Sequence, residues 1–533
     1  MSSAPVIDDQ RKHWSMNSRS PRRGIGRIAL ASAAAIVAAL AIPLGAAHAA
    51  EPDLPGSDLF VNPYSTTLEA GQALSGQARY DAQLLGSVPS AQWFTKGTPA
   101  EVQAAADAYV DAAASVEAMP VLVAYNLPFR DCAQYSAGGA ADTAAYEAWI
   151  DGLVAGIGDR PATVILEPDG LGIIPWNTAL DGTPEWCTPA ELDPATAASD
   201  RYAQLNYAVD ALGELAATSV YLDGVHSGWL NVGDITDRLI KAGVQRADGF
   251  FLNVSNYQFT SNLTYFGTWI SSCITAVTEL GKSLGECANQ YWNGGPSNNW
   301  TGVALSSAGE WSSDAADPAL NTSGIDERYA TLLGDTEPTT GFVIDTSRNG
   351  QGPWQAPAGV YSDAEDWCNP PGRGLGEQPT TDTGTPLVDA HLWIKVPGES
   401  DGKCYRGTGG PEDPERGMED PAAGAWFPEQ ARELIENAVP PLPAQTCHVV
   451  WDAKGKGKAF AATVSVTAPT SPWTLGFTWR DDQEISGAAR GAASQDGQVV
   501  SITSKASSVV VSAKGGATEP WLFTVDGEPC TSD

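Results

Sequence analysis

Six short apolar runs, at 121–124, 164–166, 220–222, 250–252, 342–344 and 392–396, alternate with longer stretches of helical spacing. In 142–158, for instance, Tyr146, Trp149, Ile150, Leu153, Val154 and Ile157 fall at intervals of three and four. Runs so short and so uniformly apolar predict strands covered on both faces. Their alternation with helices over roughly 390 residues predicts an α/β fold with a parallel sheet, closed or nearly closed into a (β/α) barrel. Polar residues follow the runs, at what would be the C-terminal face of such a barrel, where active sites are built. Tyr125, Asp131, Asp169, Asp223, His226, Asn253, Asn256, Asp345, Lys395, Glu399 and Asp401 are expected to converge there.

Two neighbouring runs carry the chemistry. The run ending at Leu166 delivers Glu167 and Asp169 to a Pro/Gly turn, and the run before it ends in Tyr125, Arg130 and Asp131. An acidic residue after a strand also suits the N-cap of the next helix. Two carboxylates at adjacent strand ends, however, push their pKa values apart, so that one holds a proton while the other stays charged, and that pair suits glycoside hydrolysis.

The segments Tyr-Asn-Leu-Pro-Phe-Arg-Asp-Cys at 125–132 and Leu-Glu-Pro-Asp at 166–169 resemble the two signature stretches of glycoside hydrolase family 6, the inverting cellulases. The resemblance continues through 221–229, 252–257, 345–350 and 393–402, and covers 59–439 in order. It implies a distorted α/β barrel with fewer than eight strands. Matched motif to motif, Asp169 is the general acid, and Asp131 is the neighbouring carboxylate that raises the acid's pKa and helps move the water's proton, with Arg130 keeping it charged. Tyr125 lies beneath the sugar at the cleavage point, and Asp401 is the residue often proposed as base. Lys395, Glu399, Asp223, His226, Asn253 and Asn256 match sugar-binding positions, and Trp93, Trp229 and Trp367 match stacking platforms, although each tryptophan also fits a core. Two positions depart from the family: Ala137 stands where a water-holding serine is common, with Ser136 beside it, and Val232 replaces a distal tryptophan. The long stretch 354–385 and the insert 404–425 resemble the loops that roof cellobiohydrolases. The resemblance therefore implies release of cellobiose from non-reducing chain ends of β-1,4-glucan. An endoglucanase of the same family is the alternative, followed by a non-catalytic glycan-binding protein on the same scaffold. No cofactor or metal is implied.

Residues 1–49 have the form of a signal peptide: Arg19, Arg22, Arg23 and Arg27 precede an apolar run at 28–44 and a small-residue site at 47–49. The chain is thus expected to be secreted, a monomer, and free of membrane after cleavage. Lys and Arg number 30 against 64 Asp and Glu, for a net charge of −34, which disfavours nucleic acid and suits a neutral glycan. The eight cysteines fall after the signal and form no Cys-x-x-Cys, so an exported chain is expected to pair them. Proximity and the resemblance together pair Cys132 with Cys187, Cys273 with Cys287, Cys368 with Cys404, and Cys447 with Cys530. A catalytic domain at 50–440, a Pro-rich linker at 441–446 and a tail at 447–533 are expected. Strand-like alternation at 463–467, 473–479, 499–503 and 509–512 makes the tail a β-sandwich. It resembles a family 2 carbohydrate-binding module that lacks the exposed tryptophans of that family, with Trp473 as a core residue.

Overall fold

The computed structural model describes residues 54–293, 302–443, 445–455, 458–467 and 471–532, and the signal expected at 1–49 lies outside them. Seven strands form one parallel sheet in sequential order: β1 (Gln92–Phe94), β2 (Val121–Ala124), β3 (Ala162–Leu166), β4 (Thr218–Asp223), β5 (Gly249–Leu252), β6 (Gly341–Asp345) and β7 (Val388–Leu392). Because successive side chains alternate, each strand feeds two cores. Leu122, Val164, Leu222, Phe250 and Phe342 pack outward against helices that include Thr143–Ile157 and Thr260–Thr278. Val123, Ile165, Tyr221, Phe251, Val343 and Ala390 fill the inside of the curl. Burying both faces explains why the runs lack polar alternation. At about 1.5–3 kcal/mol for each buried aliphatic or aromatic side chain, the two cores dominate the sheet's stability.

The sheet edges approach each other beyond the strands. Ala91 N donates to Trp393 O at 3.0 Å and Trp93 Nε1 to Ile394 O at 2.8 Å, so the curl is a distorted, incompletely laddered barrel. The helix expected over 142–158 is Thr143–Ile157, capped by the Asp142 side chain and ended by Gly158 at φ 60°. The strand expected at 392–396 instead occupies Val388–Leu392. Residues 394 and 395 leave the ladder because Asp345 takes their amides: Ile394 N and Lys395 N donate to its carboxylate at 3.3 and 3.0 Å. β1, only three residues long, gave no apolar run to read.

All four expected disulfide pairs are present. Cys368–Cys404 joins the long segment between β6 and β7 to the segment after β7. Arg406 fastens the same junction. It pairs with Asp413 at 2.7 Å, with both side chains fully buried, and donates to Ala364 O and Cys368 O at 2.9 and 3.1 Å.

After Cys447 two five-stranded sheets pack face to face. One runs through Trp473–Thr478, Val499–Ser504 and Gly491–Asp496, and the other through His448–Lys454, Ala459–Thr467 and Ser508–Lys514. Phe460, Trp473, Phe477, Trp479 and Phe523 lie between them. The large apolar side chains that the described tail exposes are Val450 and Val499. The sandwich locks onto the helix Gln77–Gly86: Arg79 pairs with Glu519 at 2.8 Å, and Gln83 exchanges hydrogen bonds of 2.7 and 2.9 Å with Ser532. No described helix is long and apolar enough to cross a membrane.

Arg406→Met strands the buried Asp413 carboxylate, and breaking such a pair costs about 3–5 kcal/mol. Hydrogen exchange is expected to accelerate across 362–420 while the β2–β5 amides keep their protection.

Candidate active site

A repeated device shapes the C-terminal mouth of the sheet. The carboxylate at the end of one strand accepts main-chain N–H groups from the loop after its neighbour. Glu167, after β3, takes Asn126 N and Leu127 N at 2.9 and 3.0 Å. Asp223, ending β4, takes Leu171 N and Gly172 N at 3.1 and 3.0 Å, and also Val225 N. Asp345, ending β6, takes Lys395 N after β7 and Ser255 N after β5, at 3.0 and 3.2 Å. All three side chains are buried, and burial pushes Glu167 up to about 7 and Asp223 up to about 6 despite their donors. The loops so fixed are tight: Asp131, Glu167, Asp169 and Asn253 all have φ between 57° and 71°. Non-glycine residues hold that region only where their surroundings impose it.

Above this ring lies a cleft of about 680 Å³. Of the residues expected in the site, Trp93, Tyr125, Arg130, Asp131, Asp169, His226, Trp229, Asn256, Trp367, Lys395, Glu399 and Asp401 line it. Asp223 and Asn253 do not. Asp223 is spent on the amides above, while Asn253 donates to Asp345 O at 2.9 Å and accepts from Gln258 N at 3.0 Å. Both support the floor of the cleft. Trp186, Trp354, Tyr135 and Gln258 line the cleft without having been singled out. For Trp186 a signal existed, since it precedes Cys187, which the bridge to Cys132 draws toward the mouth.

The three central carboxylates differ sharply. Asp169 has its carboxyl held well above the usual range, first by burial, then by the charges of Asp223, Asp131 and Asp401. Asp131 is pushed up to about 6, chiefly by burial, while Ser136 N, donating at 2.6 Å, and the Arg130 charge oppose the rise. Arg130 makes no ion pair with Asp131 among the described residues. Its guanidinium donates to Thr95 O and Ser136 O and lies 4.6 Å over the Tyr125 ring, so it braces the loop without overcoming the burial of Asp131. Asp401 is held low despite burial: Arg348 Nη1 sits 2.9 Å away, Lys395 Nζ 3.4 Å, Tyr257 OH 3.1 Å and Asn369 N 3.0 Å. His226 is pushed down to about 4 by burial and is therefore neutral near pH 7.

The family model for "Glycosyl hydrolases family 6" matches residues 54–438. The chain belongs to that family. Within glycosyl hydrolase family 6 it is 33% identical to Endoglucanase A of Thermobispora bispora over 420 residues, covering 78% of this chain and 68% of the relative. It is 29% identical over 416 residues to the probable 1,4-β-D-glucan cellobiohydrolase C of Neosartorya fischeri, covering 72% and 78%. Among solved structures it resembles the endoglucanase Cel6 of Mycobacterium tuberculosis in complex with a thio-linked methyl cellobiosyl cellobioside, at 31% identity and a TM-score of 0.51, covering 73% of this chain and 99% of that one. Members of both names thus share this fold of the hydrolase family.

Followed by carboxyl ¹³C NMR, Asp131 is expected to take up its proton near pH 6, with Asp401 remaining charged below the ordinary value of 3.8. Between 3.8 and about 6 the folded state binds the extra proton on Asp131, so stability falls as pH rises through that window. Asp131→Asn removes this penalty and is expected to stabilise the protein at pH 7 by on the order of 1 kcal/mol, after allowance for partial exposure.

Proposed function

We propose that this chain is an exported, inverting β-1,4-glucan hydrolase that releases cellobiose from non-reducing chain ends. The observation that carries the exo reading is the contact of two loops across the cleft. Tyr135, from the loop after β2, donates to Glu365 Oε1 at 2.8 Å and packs 5.9 Å from the Trp367 ring and 6.1 Å from Tyr405. Gly402, at φ 143°, admits it, since a Cβ there would lie 2.5 Å from the Tyr135 Cβ. Tyr135 and Trp367 both line the cleft, so the contact supports a site to which a chain end has easier access than a polymer entering sideways.

In this reading Asp169, whose carboxyl burial and neighbouring carboxylates hold well above the usual range, gives its proton to the glycosidic oxygen as the C–O bond breaks. Water attacks the anomeric carbon from the opposite face, and its proton passes to Asp131, directly or through a further water. Asp131, pushed up to about 6, is a fitter acceptor than Asp401, whose carboxylate is held low by Arg348 and Lys395. Asp401 serves as a fixed negative charge toward the oxocarbenium-like transition state. Trp93, Trp229 and Trp367 offer faces for pyranose stacking. The tail, with its described aromatics packed inside, acts as a support rather than a cellulose anchor.

An endo-acting β-1,4-glucanase is the second reading, favoured by the name carried by the relatives at 33% and 31% identity. Amorphous cellulose distinguishes the two. Soluble cellobiose, first formed as the α-anomer and reduced at least 10³-fold in Asp169→Asn, is expected for the exo enzyme. Reducing ends accumulating mainly on the solid would instead identify an endoglucanase.

A further inference from the structure

The segments that follow β6 and β7 meet at one side chain that the chemistry above does not use. Asn369 is fully buried and sits at φ 37°, a left-handed conformation that asparagine tolerates better than most residues. Its main-chain N–H donates to Asp401 Oδ2 at 3.0 Å, and its Oδ1 accepts from the main-chain N–H of Asp401 at 2.8 Å. It thereby grips both the side chain and the backbone of Asp401. The remaining partners of that carboxylate, Arg348, Lys395 and Tyr257, come from the strand mouths below.

Asn369 is itself held by its surroundings. Its Nδ2 lies 2.9 Å from Asp420 Oδ2, Ser400 Oγ and Gly402 O. Gln430 Nε2 donates to its Oδ1 at 3.1 Å, and Arg416 Nε to its carbonyl at 2.8 Å. Asp420 is 2% exposed, and its second oxygen, Oδ1, has no hydrogen-bond partner among the described residues. A buried acceptor left unpaired costs about 1–3 kcal/mol, so its retention calls for a reason. Cation binding does not supply one. Cys404, beside Asp413 and Asp420, is in a disulfide, and Arg406 occupies Asp413.

We propose that Asn369 and Asp420 are positioning residues for Asp401: Asp420 fixes the amide of Asn369, and Asn369 fixes the orientation and charge of the Asp401 carboxylate. The insert that roofs the cleft thus also sets the electrostatics of its floor. Without an acceptor at 420 the Asn369 amide loses its one charged acceptor and is held less firmly, its backbone shifts, and the donor it gives Asp401, which favours the charged form, weakens. The inference rests on Asp401 acting as a fixed charge toward the substrate.

The test compares Asp420→Ala with Asp420→Asn in the full chain, reading hydrolysis of cellotetraose and the ¹³C titration of the Asp401 carboxyl. Asp420→Ala is expected to lower kcat about tenfold with KM within twofold, and to move the Asp401 titration up by about one pH unit. Asp420→Asn keeps an oxygen for Asn369 Nδ2 and is expected to recover most of both. If Asp420→Ala does not fold, Gln430→Leu removes the side-chain donor to Asn369 Oδ1 and takes its place. An unmoved Asp401 titration, or Asp420→Asn as impaired as Asp420→Ala, overturns the proposal. A wild type inert on cellotetraose with the titration shift intact overturns the hydrolase reading instead and leaves the positioning role standing.

Discussion

Everything at the mouth of this barrel depends on buried carboxylates accepting main-chain N–H groups from the loop next door. Parallel strands end without a partner for the first amides of each loop, and water cannot reach them here. Glu167, Asp223 and Asp345 supply the missing acceptors. Each joins its own strand end to a neighbouring loop, so the loops are positioned relative to one another and not only to their own strands. That constraint lets Asp131 and Asp169 persist in left-handed conformations, aimed into the cleft. It also places further negative charge near Asp169: after burial, the Asp223 charge is the largest cause of the raised Asp169 pKa. The scaffold and the electrostatics of the cleft share the same side chains.

Much of the fold was legible because burial on both faces leaves an unambiguous trace. Five of the seven strands coincide with uninterrupted apolar runs, and the helix at 143–157 declares its ends through Asp142 and Gly158. The failures have physical causes. β1 is three residues long and includes Gln92, so it offers no run. The run at 392–396 is apolar because it is buried, yet its amides bond to Asp345 rather than to a strand. Apolar pattern reports burial, and only hydrogen bonding decides what is a ladder.

The site was legible in kind but not in division of labour. Motif matching brought twelve lining residues to one cleft, while Asp223 and Asn253, matched to the same site, lie outside its lining and bond to backbone groups beneath it. A sequence shows that a carboxylate stands at a strand end, not whether its lone pairs point up or sideways. Arg130 shows the same division: its charge favours ionised Asp131, as the resemblance implies, but its N–H groups go to the carbonyls of Thr95 and Ser136. Asn369 and Asp420 carried no signal at all, since their meaning arises only where two long segments cross.

The docking of the β-sandwich has a mechanical corollary. Arg79 with Glu519 and Gln83 with Ser532 fasten it to the helix Gln77–Gly86, and few residues separate Asn437 from Cys447. An appendage on a long tether lets an enzyme fish over a surface while its catalytic body dwells elsewhere. This one has no such reach. The sandwich and the barrel it is fastened to are therefore carried together, and the tail holds a fixed place beside that helix instead of searching a surface on its own.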